Sequence, residues 1–171
     1  MVIDLNGDGF STKCVTNGTY FDLDSNGSSE KTGWITGDDA FLALDLNGDG
    51  KITHGGELFG DYTLLQDGTR AKDGFHALAQ YDENGDGLID EKDSIFSSLV
   101  VWHDKNNDGQ SSADELHTLD EVNISAIRLN ASVVNTTDPD TKAFLSDLPP
   151  VGRMDGHNFS RVLPLPPPLG Y

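Results

Sequence analysis

Residues 82–115 read DENGDGLIDEKDSIFSSLVVWHDKNNDGQSSADE and contain two twelve-residue acidic loops whose starts lie twenty-two residues apart. In the first, Asp82, Asn84 and Asp86 fill positions 1, 3 and 5, Gly87 fills 6, Asp90 fills 9 and Asp93 closes at 12. In the second, Asp104, Asn106 and Asp108 are followed by Gly109 at 6, Ser112 at 9 and Glu115 at 12. Calcium takes about six to eight hard oxygens at roughly 2.3–2.6 Å. A loop of this kind supplies them from alternating side chains, the position-7 carbonyl (Leu88, Gln110) and an acidic closer, while glycine makes the sharp turn. One DxNxDG hexamer arises readily by chance, whereas two complete loops in register do not. The spacing therefore predicts calcium at both.

The same hexamer occurs three times upstream, as Asp4-Asn6-Asp8, Asp22-Asp24-Asn26 and Asp45-Asn47-Asp49. None has an acid at position 12, where Val15, Gly33 and Gly56 stand. The third offers the Lys51 carbonyl at position 7 and Glu57 one residue beyond the usual closer, so a widened loop can still close. The second has Glu30 at position 9, with Asp38 and Asp39 available from a distance. Asn-Gly and Asp-Gly also mark hairpin turns, and that alternative stays open for the first two hexamers.

Around the loops, Asp38–Leu44 (DDAFLAL) is expected as a short helix capped near Gly37 or Asp38. Asp73–Tyr81 carries a helical stripe of Phe75, Leu78, Ala79 and Tyr81. Ser94–Trp102 has an i, i+1, i+4, i+5 face of Ile95, Phe96, Leu99 and Val100, and Glu115–Val122 is expected as an exit helix. Val2-Ile3 and Thr19–Phe21 read as short strands, Ile124–Val134 alternates as a strand does, and Met154–Val162 reads as a hairpin turning at Asp155-Gly156. Asn135–Asp140 is a turn-rich loop. The expected fold class is α+β: an EF-hand-like pair of helix-loop-helix units over 73–122, packed with short strands and hairpins. Residues 1–162 read as a single metal-stapled module, and the proline-rich 163–171 as an extended, disordered tail.

Twenty-nine acids against eleven Lys plus Arg give a formal charge of −18. Such a chain repels itself unless something neutralises it, so folding coupled to calcium is expected. Nucleic acid is an unsuitable partner, since phosphate binding needs clustered cations. Cys14 is the single cysteine and is expected as a small buried hydrophobe. No stretch approaches a membrane span, and no signal peptide opens the chain. Histidines 54, 76, 103, 117 and 157 show no zinc spacing, and no nucleophile elbow or phosphate loop is present. The residues alone give a calcium module without a conventional active site.

Gly33–Asp61 (GWITGDDAFLALDLNGDGKITHGGELFGD), with the central pair and the opening IDLNGDG, resembles the self-processing module of RTX proteins, the secreted calcium-dependent toxins and adhesins. The resemblance runs from Ile3 to about Asn130. It implies that calcium folds the module and that an Asp-Pro bond just before the opening strand then breaks. In that family the Asp carboxylate attacks its own carbonyl carbon, expels the proline nitrogen and leaves a cyclic anhydride, which a lysine amine can take up as an isopeptide. A tertiary amide suits this step, because its trans preference is weak and twisting it removes resonance. The implied partners are the upstream segment of the parent chain and lysine-bearing acceptors, in a secreted protein. Aligned on Asp4, the scissile bond falls just upstream of Met1, so this chain is expected to be a product or truncated form. Asp138-Pro139, the one Asp-Pro present, reads as a turn. A purely structural, calcium-stiffened adhesive module is the competing reading. The paired loops also resemble those of dockerins, which are much shorter and leave Gly33–Asp61 unexplained.

Overall fold

The run DAFLAL at residues 39–44, expected as a helix, forms the middle strand of a five-stranded sheet. The structure is a computed structural model, and residues 1–129 with 161–162 are described. In chain order the strands are β1 (Val2–Asp4), β2 (Ser11–Lys13), β3 (Thr19–Phe21), β4 (Glu30–Thr32), β5 (Trp34–Thr36) and β6 (Asp39–Leu44). After the helix α1 (Gly74–Ala79) come β7 (Leu88–Asp90), β8 (Leu99–Trp102), β9 (Leu116–Thr118), β10 (Ala126–Arg128) and β11 (Arg161–Val162). Short 3-10 turns lie at Val15–Asn17, Gly55–Glu57 and Phe96–Ser98.

The sheet order is β11-β1-β6-β8-β9, antiparallel except for the β11–β1 pair. Both faces of its centre are buried. Ala40, Leu42, Leu99 and Val101 point into one apolar cluster with Ile3, Phe59, Leu78, Ile89 and Ile127. The alternate residues Phe41, Ala43 and Trp102 point into a second with Phe21, Trp34, Ile52 and Leu58. Helix α1 and the β7–β10 ribbon thus pack on the first face, and the β3–β4 hairpin and the β2–β5 pair that encloses it in sequence on the second.

This double burial explains the main correction. A strand covered on both faces reads as an unbroken apolar run, which periodicity cannot tell from a buried helix. Ser94–Trp102 is accordingly a 3-10 turn followed by β8, and the expected exit helix begins as β9. No EF-hand-like helix-loop-helix pair forms over 73–122. The α+β expectation gives way to strands in antiparallel sheets, with α1 the one α-helix among the described residues. That helix is where the stripe placed it, because Asp73 caps it by accepting the His76 N–H at 2.8 Å. Strands β3 and β10 fall within their expected stretches, and β1 covers Val2-Ile3 and runs on to Asp4.

Cys14 is exposed rather than buried, standing just before the 3-10 turn at Val15–Asn17. The Asn135–Asp140 loop with Asp138-Pro139, the Asp155-Gly156 turn, His157 and the 163–171 tail lie outside the described residues. Among the described residues, no helix is long and apolar enough to cross a membrane.

Candidate metal centre

Each acidic hexamer folds by the same local bonds. The position-1 aspartate accepts two or more backbone N–H groups from the far side of its own loop. Gly7 and Gly9 donate to Asp4 at 2.7 and 3.0 Å, and Asn26 and Gly27 donate to Asp22 at 2.9 and 2.8 Å. Gly48 and Gly50 donate to Asp45, both at 2.8 Å, and Gly85 and Gly87 to Asp82 at 2.8 and 3.0 Å. Asp108 and Gly109 donate to Asp104 at 3.2 and 3.0 Å. The position-3 side chain accepts the position-5 N–H at 2.9–3.1 Å in every case: Asn6 from Asp8, Asp24 from Asn26, Asn47 from Asp49, Asn84 from Asp86 and Asn106 from Asp108. Position 5 in turn accepts from position 7, as Asp49 does from Lys51, Asp86 from Leu88 and Asp108 from Gln110. These side-chain-to-backbone turns are local and need no helix on either side. They curl each loop around its position-1 carboxylate, and the oxygens at positions 1, 3 and 5 keep lone pairs for a cation.

The loops differ in how they close. In the last three, a buried carboxylate reaches back to the position-9 residue. Thr53 donates to Glu57 through both N–H (2.8 Å) and Oγ1 (3.1 Å), and Asp90 N–H donates to Asp93 at 3.0 Å. Ser112 donates to Glu115 through N–H (3.2 Å) and Oγ (2.8 Å). Glu57 thus occupies, from one residue later, the place of the ordinary closer, and its buried Oε1 has no partner. The second loop is the turn of the β3–β4 hairpin, and its return strand brings Glu30 to Asp22 and Asp24. Ligand atoms of these three lie within 4.8 Å of one another and could hold a metal ion. Asp38 and Asp39, expected to help the second loop, stand instead at the first. Asp39 pairs with Asp4 across β6 and β1, and Asp38 accepts the Asn6 amide at 3.2 Å. Only the strand register brings them there, and no local signal announces it.

Electrostatics separates the loops further. The Trp34 indole N–H donates to Asp104 Oδ2 at 2.6 Å, and burial holds that carboxyl above its ordinary value. Asp39 is pushed up to about 6 by burial, with Asp4, Asp8 and Asp38 adding to the rise against the Ser11 N–H. On half-exposed Asp45, the N–H groups of Gly50 and Gly48 hold the carboxyl below the usual range. Asp90 is lowered by the Lys92 N–H and then by the Lys92 ammonium, which also reaches Asp86 at 3.4 Å. The donor set is all oxygen, and the buried carboxylates include orphaned atoms on Glu57 and Asp39. That chemistry fits a hard divalent cation better than a soft metal.

Ser25 Oγ lies 3.2 Å from His54 Nδ1, and His54 Nε2 lies 3.9 Å from Glu57. This is a clasp rather than a nucleophile and base. His54 Nδ1 and Ser25 Oγ both accept the Gly56 N–H, at 3.1 and 2.8 Å, while the nearer Glu57 oxygen is taken by Thr53. The clasp joins the second loop to the turn that closes the third. No local pattern pairs Ser25 with His54, since the contact joins segments twenty-nine residues apart.

Two comparisons bear on the chain as a whole. The iron-regulated protein FrpA of Neisseria meningitidis serogroup C is 46% identical over 137 residues. That match covers 79% of this chain and 12% of the FrpA sequence, so the chain spans about an eighth of that relative. Residues 1–159 match the SPM domain. With nearly its whole length matched, the chain belongs to the SPM domain family.

Proposed function

We propose that residues 1–162 form a calcium-binding self-processing module of a secreted RTX-type protein. On this reading, calcium drives its folding and so promotes cleavage of an Asp-Pro bond preceding the module in its parent chain. The observation that carries the reading is the repeated closing geometry. Glu57, Asp93 and Glu115 are buried carboxylates, each bonded to the position-9 residue of an oxygen-lined loop. Burying ionised carboxylates without a cation is costly, and a divalent ion removes that cost only after the loop has formed. The proposed ligands are Asp4, Asn6 and Asp8; Asp22, Asp24 and Asn26; Asp45, Asn47, Asp49, the Lys51 carbonyl and Glu57; Asp82, Asn84, Asp86, the Leu88 carbonyl and Asp93; and Asp104, Asn106, Asp108, the Gln110 carbonyl and Glu115. The small share of FrpA covered supports a module carried within a much longer chain.

Bound calcium supplies charge neutralisation and rigidity. The chain's own residues position the upstream bond. Met1 is buried, its backbone nitrogen donates to the Phe59 carbonyl, as an amide N–H there would, and its side chain packs beside Gly74. A segment arriving from upstream is thereby anchored to the folded body at its first residue. Fixing an Asp carboxylate against its own carbonyl carbon provides the proximity that the cleavage needs. The carboxylate oxygen bonds to the carbonyl carbon as the C–N bond breaks, the proline nitrogen takes a proton from water and leaves as an amine, and the resulting anhydride opens on water or on a lysine amine.

The test is an N-terminally extended chain that places Asp-Pro ahead of Met1, incubated with millimolar calcium or with chelator. The expected result is calcium-dependent loss of the intact chain and two fragments, with masses that identify cleavage at Asp-Pro. A chain that folds in calcium yet stays intact for hours would leave only a calcium-stiffened structural module.

A further inference from the structure

The first loop has no closer of its own. Its position-12 residue, Val15, is exposed in a 3-10 turn, because the chain leaves the loop after Gly9 and runs into β2. Two strand pairs meet at this corner. β1 lies against β6 and β2 against β5, so the loop joining β1 to β2 faces the Gly37-Asp38 turn joining β5 to β6. Asp4 and Asp39 are directly opposed in the antiparallel register, at 0% and 4% exposure. Like charges placed opposite each other destabilise a sheet, and buried ones more so.

The remaining contacts show an unfilled need. Asp4 accepts the N–H groups of Gly7 and Gly9, and Asp39 Oδ2 accepts that of Ser11 at 2.7 Å. Asp39 Oδ1 is buried with no hydrogen-bond partner. The Asn6 amide is shared between Asp8 at 2.9 Å and Asp38 at 3.2 Å. The charges that act on Asp39 are Asp4, Asp8 and Asp38, all negative. A buried carboxylate oxygen without a hydrogen-bond partner, beside three further carboxylates, is the environment a divalent ion neutralises.

We propose that the first loop binds a divalent cation of the calcium class, closed from across the sheet by Asp39 with Asp38, in place of an acid at position 15. This rests on the reading of the hexamers as calcium loops. It makes ion binding and β1–β6 pairing one event, since Asp4 and Asp39 belong to both. The first site therefore locks the opening strand to the centre of the sheet.

The experiment is calcium stoichiometry and affinity by isothermal titration on the whole chain, for wild type, Asp39→Asn and Asp38→Asn. Circular dichroism in saturating calcium reports folding. Asp39→Asn keeps the side-chain size and the acceptor for Ser11. The expected result is one calcium equivalent fewer in Asp39→Asn, and about tenfold or greater weakening of one site in exposed Asp38→Asn, since ligand charge sets affinity. Unchanged stoichiometry and affinities in the folded variants overturn the proposal. If Asp39→Asn does not fold in calcium, Asp38→Asn decides alone. A wild type that binds no calcium removes the underlying reading instead, which keeps the two failures distinct.

Discussion

The loops at 82–93 and 104–115 share one grammar but are held in different ways. The second is joined to the core through its polar atoms. Asp104 takes the Trp34 indole, the Asn107 carbonyl takes Thr19 Oγ1 at 2.8 Å, and Ser111 Oγ both accepts from and donates to the Ile52 backbone, at 2.7 and 3.1 Å. The first is joined through the β7–β10 ladder, with the Leu129 N–H donating to the Gly87 carbonyl at 3.0 Å, and through Ile89, which enters the apolar cluster beside Ile127. A metal lost from the second loop leaves both Asp104 and Glu115 buried, the former against the Trp34 indole, whereas loss from the first leaves Asp93 buried but Asp82 half-exposed. Identical ligand spacing therefore does not imply equal coupling to the fold. Anchorage decides it.

The largest effect expected from breaking this difference is at Trp34. Its ring lies 4.8 Å from Phe41, 5.2 Å from Phe21 and 5.7 Å from Trp102, and it also serves Asp104. Trp34→Ala should cost about 3–5 kcal/mol, measured by urea unfolding in saturating calcium, with loss of near-ultraviolet ellipticity. A cost under about 1 kcal/mol, the size of one ordinary hydrogen bond, would break the claim that the 104–115 loop is built into the aromatic core.

A matched pair of substitutions sharpens the comparison. Gly87 and Gly109 both occupy position 6 with φ of 81° and 72°. A Cβ at Gly87 meets nothing within 4 Å, while one at Gly109 falls 2.5 Å from the Tyr20 carbonyl oxygen and 2.6 Å from Thr19 Cγ2. Gly87→Ala should cost only the left-handed backbone strain of about 1–2 kcal/mol. Gly109→Ala should add about 1–3 kcal/mol of overpacking and push the β3 strand away. Thermal unfolding of the two variants with calcium present checks the difference. Equal costs would mean the two loops are equally free.

The smallest effect is at Lys92, exposed and bridging Asp86 and Asp90. Such surface pairs contribute little, so Lys92→Met should leave the unfolding midpoint unchanged within error. Calcium affinity of the 82–93 loop should rise as a competing cation is removed, which a titration of the variant will show. A weaker loop would make Lys92 a support rather than a competitor.

What the sequence made legible follows from range. The hexamers were readable because an aspartate at position 1 bonds to N–H groups three to five residues on, and α1 was readable because Asp73 caps it locally. The sheet was not. Phe41, Leu42, Leu99 and Val101 are apolar on both faces, so the runs carrying them gave no strand period. A set such as Ile95, Phe96, Leu99 and Val100 then fits the i, i+1, i+4, i+5 face of a helix as well as it fits a buried strand. The approach of Asp39 to Asp4 and of Ser25 to His54 depends on register between distant segments, which alternation alone does not fix.

The central claim is that the folded core exists because calcium fills these loops. Near-ultraviolet circular dichroism of the wild-type chain, titrated from excess chelator into millimolar calcium, tests it most directly, since Trp34 and Trp102 are both fully buried. The account predicts little tryptophan ellipticity in chelator and a cooperative rise as calcium is added, reversed by further chelator. A full, calcium-independent tryptophan spectrum would contradict it.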